Sequence, residues 1–226
     1  MAGHGTPDRR RAPVTAHSQR MVLEVDTPHG VAQAHLQFVD RPRGALVLGH
    51  GAGGGVSAPD LATAADVAIS EGLSVALVEQ PYRVAGRRSP APAGQLDAAW
   101  SAVVQHLRAG ELEGLPLVAG GRSLGARVAC RTAGALGAVG VLCLAFPLQP
   151  PRRRAGTPSP SRLHELDEVT VPTLVVQGER DPFGVPPAAA LRTVARVPGD
   201  HGLKADLDAV GAAVRAWLPG VVGRAR

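Results

Sequence analysis

From Met21 to Asp26, and again from Gln33 to Val39, apolar residues alternate with polar ones, with Pro28-His29-Gly30 between the two runs. Alternation at period two around a Gly-containing break predicts a β-hairpin. The apolar runs that follow are unbroken: Ala45–Leu48, Ser74–Val78, Leu117–Ala119, Val139–Ala145 and Thr173–Val176. Short continuous aliphatic runs predict strands covered on both faces, as in a parallel sheet. Helical spacing separates them. It covers Leu61–Glu71 with Gly72 as its cap, Gln95–Ala109, Ala126–Leu136, Ala188–Ala195 and the amphipathic Leu207–Leu218. The fourth of these overlaps a last strand predicted within Thr193–Val197. A hairpin followed by strands alternating with helices implies a mostly parallel sheet with an antiparallel N-terminal edge, right-handed crossovers and helices on both faces. Residues 1–20 have no period and are rich in Arg, His and Pro, which predicts a disordered tail ahead of one domain spanning 21–226.

Composition sharpens this picture. Aromatic residues make up only 3% of the chain, so Val, Leu and Ala must form the core. The formal charge of +5 suggests nucleic acid until it is mapped. Residues 1–20 carry four Arg and one Asp, and residues 150–162 carry four Arg and no acid, which leaves the rest of the chain at −2. With a near-neutral body and no basic face interleaved with aromatics, the expected partner is a small molecule rather than nucleic acid. The only cysteines, Cys130 and Cys143, lie in apolar stretches and are expected as buried free thiols in a reducing cytoplasm. No apolar run approaches the roughly eighteen residues that span a bilayer, so no membrane association is expected. No apolar segment follows Arg9-Arg10-Arg11, which argues against an export signal.

The chemistry is concentrated in a few Gly-flanked loops. Gly121-Arg122-Ser123-Leu124-Gly125 matches G-x-S-x-G directly between a strand and a helix. A serine on such a sharp turn projects its oxygen above the sheet, and small neighbours let the strained backbone pass close to adjacent chain. The following helix also turns its first N–H groups toward developing negative charge. On its own the pattern is equally a Gly-rich turn with an incidental serine.

Downstream, Thr173–Val176 leads into Gln177-Gly178-Glu179-Arg180-Asp181-Pro182-Phe183-Gly184, which places Asp181 past a strand end on the same rim as Ser123. For an isolated Asp, turn formation or helix capping is the ordinary role. Only His164 and His201 follow the serine. His164 falls in the charged segment Leu163–Glu168, expected as a solvated helix, whereas His201 sits in the Gly-flanked loop Pro198–Gly202. The order Ser123, Asp181, His201 therefore predicts nucleophile, orienting acid and general base.

The loop Gly49-His50-Gly51-Ala52-Gly53-Gly54-Gly55 follows an early strand, where a backbone N–H is needed for a tetrahedral oxyanion. Leu124 and Ala52 are the expected donors, with Gly53 a substitute for Ala52 and His50 bonding within the loop. The loop also matches G-x-G-x-x-G, with Glu79 near where a ribose-binding acid sits. The hairpin before it, the histidine inside it and the idle Ser–Asp–His set oppose a nucleotide site, so no cofactor and no metal is expected.

Together, His50-Gly51-Ala52-Gly53-Gly54, the Gly121–Gly125 turn, Phe146-Pro147-Leu148, Gln177–Gly184 and Asp200-His201 resemble the α/β-hydrolase superfamily. More narrowly, they resemble its small dienelactone-hydrolase-like branch, from about residue 20 to 218. The resemblance implies the α/β-hydrolase fold and assigns Ser123, Asp181 and His201 as a catalytic triad. Some members of the group serve as scaffold subunits, so a non-catalytic interaction module is the alternative, and acyl transfer or perhydrolysis would use the same triad. The Arg-rich insert at 152–162 is too short and polar for a helical lid, which points to a small ester or thioester. Arg83, Arg87 and Arg88, after the Ser74–Val78 strand, are candidates to favour an anionic substrate.

Overall fold

The computed structural model describes residues 20–150 and 159–225. The hairpin forms as β1 (Arg20–Thr27) and β2 (Gly30–Gln37), paired antiparallel from Arg20↔Gln37 to Thr27↔Gly30. Gly30 has φ +109°, and the Thr27 hydroxyl donates to its carbonyl at 2.6 Å, closing the turn. The remaining strands are β3 (Gly44–Gly49), β4 (Leu73–Glu79), β5 (Leu117–Arg122), β6 (Gly140–Leu144), β7 (Thr173–Gly178) and β8 (Arg192–Val197). The eight make one sheet in the order β1-β2-β4-β3-β5-β6-β7-β8, antiparallel from β1 to β4 and parallel beyond. Every residue of β3, β6 and β7 is buried, as unbroken aliphatic runs require when both faces are covered.

Helices cover both faces. On one, α1 (Pro59–Ser70) and α6 (Leu207–Val222) bury Leu61, Ala64, Val210, Val214 and Leu218 against Leu46, Leu48 and Val176. On the other, α3 (Ala93–Ala109) and α4 (Leu124–Thr132) bury Leu96, Trp100, Val103 and Val128 against Val47, Ala119 and Val141. The short α2 (Pro81–Val84), missed within a Pro- and Arg-rich loop, and α5 (Leu163–Asp167) complete the set. Among the described residues no lid-like domain interrupts this layout, and no helix is long and apolar enough to cross a membrane.

Three expectations need correction. The helix expected over Ala188–Ala195 does not form, and Arg192 already begins β8. Pro186 and Pro187 leave only three alanines before a tight turn in which Ala189 and Arg192 exchange backbone hydrogen bonds of 3.0 Å. The helix read as Ala126–Leu136 starts at Leu124 and ends at Thr132, with Gly134 and Gly137 continuing as turns. Leu163–Glu168 is not a solvated helix throughout: His164 is exposed, but Glu165 is buried beneath two arginines. Residues 1–19 of the expected tail and 152–158 of the Arg-rich insert lie outside the described residues, and Arg20 belongs to β1.

Candidate active site

Parallel strands gather their C-terminal ends on one rim, and the loops leaving β3, β5, β7 and β8 supply the site there. Ser123 occupies the single step between β5 and α4, with φ 52° and ψ −105°. A non-Gly residue held there stores strain of about 1–3 kcal/mol, and it persists only because the surroundings over-determine it. The Ser123 N–H donates to the Leu144 carbonyl at 2.9 Å, and its carbonyl accepts from Arg127 N–H at 3.3 Å. Close packing explains the flanking glycines. A Cβ on Gly121 would stand 2.5 Å from the Gly49 carbonyl oxygen, and one on Gly125 would run into the same oxygen.

His201 and Asp181 converge on this serine. His201 Nε2 lies 2.9 Å from Ser123 Oγ, and Nδ1 lies 2.8 Å from Asp181 Oδ2. Asp181 sits past β7, where its side chain is fully buried. A buried carboxylate needs partners. Its Oδ1 accepts from Phe183 N–H at 2.8 Å, and its Oδ2 also accepts from Gln177 Nε2 at 2.7 Å. Because both Asp181 oxygens only accept, the shared proton belongs on His201 Nδ1, which leaves the Nε2 lone pair facing the hydroxyl. The Phe183 ring packs against the imidazole, with centroids 4.4 Å apart.

The loop after β3 is pinned from behind. His50 is buried; its Nε2 accepts from Gln80 N–H at 3.0 Å, so its proton rests on Nδ1, which donates to the Gly51 carbonyl at 2.8 Å. Burial pushes the His50 pKa down, favouring this neutral form over the effects of its neighbours. A trans peptide points its N–H opposite its C=O, so fixing the Gly51 carbonyl also fixes the direction of the Ala52 N–H. The site a Cβ on Gly51 would take is 3.7 Å from Ser123 Cβ, which puts this peptide beside the serine. Burial raises the Tyr82 hydroxyl pKa and keeps it a donor, and it bonds to the Ala52 carbonyl at 3.0 Å. Leu124 opens α4, so its N–H has no carbonyl four residues back within the helix. The structure thus brings Ser123, Asp181, His201, Ala52 and Leu124 to one place, and Gly53 lies further out on the same loop, exposed.

The arginines of the β4 loop lie on the His50–Tyr82 side of the site, where the charge of Arg83 acts on both groups. Arg88 is exposed, Arg83 is half-buried with Nη1 turned to the Arg87 carbonyl, and Arg87 lines a cavity of about 380 Å³ with Gln80, Tyr82 and Gln95. None of Ser123, Asp181 or His201 lines that cavity.

Sequence reasoning passed over three residues. Gln177 is fully buried, and its Nε2 lies within 2.7–3.0 Å of Phe146 O, Asp181 Oδ2 and Gly184 O, three acceptors that share its two N–H groups. A polar residue at the buried end of an all-apolar strand was its available signal. Arg122, the first x of the motif, sends Nη2 to the His201 carbonyl at 3.0 Å, and its Nε lies 2.9 Å from Asp60 Oδ2. That second contact is a close ion pair rather than an aligned hydrogen bond. Asp60 is wholly buried at the start of α1, and nothing in its local pattern marks it.

A family model described as an alpha/beta hydrolase domain matches residues 42–205. No curated protein sequence matches the chain. Among solved structures, a lidless serine hydrolase from Xanthomonas campestris superposes with TM-score 0.70 at 20% identity, covering 94% of this chain and 97% of its own. The dienelactone hydrolase of Anabaena variabilis gives TM-score 0.72 at 17% identity, covering 90% and 98%. Est1E from Butyrivibrio proteoclasticus gives 0.71 at 14%, covering 89% and 99%. At these identities the structures show a shared fold.

Proposed function

Since the chain belongs to the alpha/beta hydrolase family, we propose that it is a serine hydrolase that cleaves small esters or thioesters through an acyl-enzyme. The observation that carries this reading is the continuous relay from Ser123 Oγ to His201 Nε2 at 2.9 Å, and from His201 Nδ1 to Asp181 Oδ2 at 2.8 Å. In this reading Ser123 Oγ attacks the substrate carbonyl carbon as His201 Nε2 takes its proton, and Asp181 stabilises the resulting imidazolium. The oxyanion accepts from the N–H groups of Leu124 and Ala52, one freed by the helix start and the other aimed by the His50-pinned peptide. Collapse of the intermediate expels the alcohol or thiol, protonated by His201. Water, deprotonated by the same nitrogen, then attacks the acyl-enzyme and frees Ser123. No step calls for a cofactor or a metal ion.

The test is intact mass after exposure to a small fluorophosphonate. One adduct is expected on the native protein, none on Ser123→Ala and slow labelling on His201→Ala. A folded native protein that takes no adduct would refute the hydrolase reading in favour of a scaffold role. Hydrolysis of short acyl esters and thioesters, lost in Ser123→Ala, would then define the substrate range.

A further inference from the structure

We infer that Arg122, anchored by Asp60, is a positioning residue that holds the base-bearing loop in register with the nucleophile; the inference rests on the hydrolase reading above. Its guanidinium joins three pieces of chain at the rim: the His201 loop, the Gly51 loop and the start of α1. The backbone of Arg122 ends β5 immediately before Ser123, so its Cα moves with the nucleophile. Nη2 donates to the carbonyl of His201 itself at 3.0 Å, across 79 residues of sequence. Nη1 lies over Gly51, where an added Cβ would approach it to 2.9 Å, so the same group packs on the loop that carries Ala52. Nε faces Asp60 Oδ2 at 2.9 Å.

The anchor is as specific as the grip. The Asp60 side chain is fully buried, and that of Arg122 is only 19% exposed. Asp60 Oδ1 accepts from Leu61 N–H at 3.0 Å, which fixes the carboxylate at the start of α1. A buried carboxylate is costly without a cation, so the pair constrains the side-chain path of Arg122 more than an exposed bridge does. Arginine is the residue for this role because its planar fork offers several donors in fixed directions, whereas lysine offers one compact charge at the end of a flexible stem. The ring of His201 is held by Ser123, Asp181 and the packed Phe183, and the loop around it by Arg180 N–H to the Gly199 carbonyl and Leu203 N–H to the Asp200 carbonyl, while the His201 carbonyl itself accepts from Arg122. A ring held at both nitrogens still moves with its backbone, and Arg122 ties that backbone directly to the residue before the nucleophile.

The experiment compares native protein, Arg122→Lys, Arg122→Ala, Asp60→Asn and the Arg122→Lys/Asp60→Asn double variant. Two readouts are used: turnover of a short acyl ester, and the downfield proton NMR signal of His201 Nδ1–H. A loop shifted by about 1 Å costs about 10²-fold in rate. Arg122→Lys and Asp60→Asn are therefore each expected to lower kcat by about 10- to 100-fold at unchanged KM. The double variant is expected to be no worse than the poorer single. Added guanidinium ion is expected to restore part of the kcat of Arg122→Ala. The downfield proton is expected to broaden or vanish in every variant while the melting profile stays cooperative.

Native-like kcat in Arg122→Lys with an unchanged His201 proton signal would overturn the inference. So would strictly additive losses in the double variant. If the native protein neither labels nor turns over, the hydrolase reading falls, and the His201 proton signal alone still decides whether Arg122 positions the imidazole. If Arg122→Ala does not fold, the lysine and asparagine variants carry the same test.

Discussion

Replacing Ser123 by glycine is expected to give a more stable protein than replacing it by alanine, the order found at helix N-caps in general, which the backbone here should widen. Both substitutions remove the hydroxyl and hence the 2.9 Å contact with His201 Nε2, so that loss cancels in the comparison. They differ in backbone. Alanine must keep the φ 52°, ψ −105° conformation, which costs a residue with a Cβ about 1–3 kcal/mol. Glycine adopts it nearly freely but makes the unfolded chain more flexible, which costs about 0.4–1 kcal/mol. The difference favours glycine by up to about 2.6 kcal/mol, centred on about 1.3 kcal/mol, or up to about 10 °C in melting temperature for a chain of this size. Urea midpoints with a shared m-value, checked by calorimetry, measure it directly. If Ser123→Ala is as stable as Ser123→Gly or more so, the serine stores no strain and the account of the turn is wrong.

Other expectations follow from the same contacts. Glu165→Gln removes the only carboxylate that Arg127 holds among the described residues and one of the two held by Arg131, which keeps Asp97 at 2.6–2.8 Å; with both arginines about one-fifth exposed, it is expected to cost about 2 kcal/mol in urea denaturation. Burial alone would lift the Glu165 pKa, but these arginines outweigh it and hold the pKa below the usual range. The native protein should therefore lose this stability only as pH falls below about 4.3, a loss that Glu165→Gln should not show. His50 titrates the other way round in charge: its pKa is depressed, so protonation of the unfolded chain removes stability as pH falls from about 6.5 through the folded value. His50→Gln should flatten that part of a stability-versus-pH curve. Gly125→Ala, whose Cβ meets the Gly49 carbonyl, is expected to lower stability by about 1–3 kcal/mol and to abolish fluorophosphonate labelling; native-like labelling would contradict the packing argument.

The sheet was legible because its strands are unbroken aliphatic runs whose burial leaves one interpretation, and the hairpin because Leu23 to Asp26 and Gln33 to Phe38 alternate around a Gly-containing break. The order of Ser123, Asp181 and His201 was legible because each sits in a glycine-containing loop or turn just past a strand end. Where the reading went wrong, the local signal was weak or was overridden by packing. Ala188–Ala190 has high helix propensity, but two prolines before it and a turn after it leave no room for one helical turn. Leu163–Glu168 looks solvated by composition, yet two arginines four residues apart on α4 provide partners that let Glu165 be buried. Arg122, Asp60 and Gln177 were illegible for a related reason. Their roles depend on partners 79, 62 and 4 residues away, respectively, and only the last is near enough to leave a trace in a local pattern.

The position of β8 in the sheet bears on how the protein would fail. Among the described residues it is an edge strand, paired within the sheet with β7 alone, and the loop leaving it carries His201. Edge elements open sub-globally at lower free energy than the centre of a sheet. Detachment of β8 alone would withdraw the imidazole while β3, β5 and β6, paired on both sides, keep the serine turn intact. Heat inactivation should therefore run ahead of global melting and reverse on cooling. Amide exchange should report the β8 protons that face β7, those of Thr193 and Ala195, trading with solvent well before those of β5.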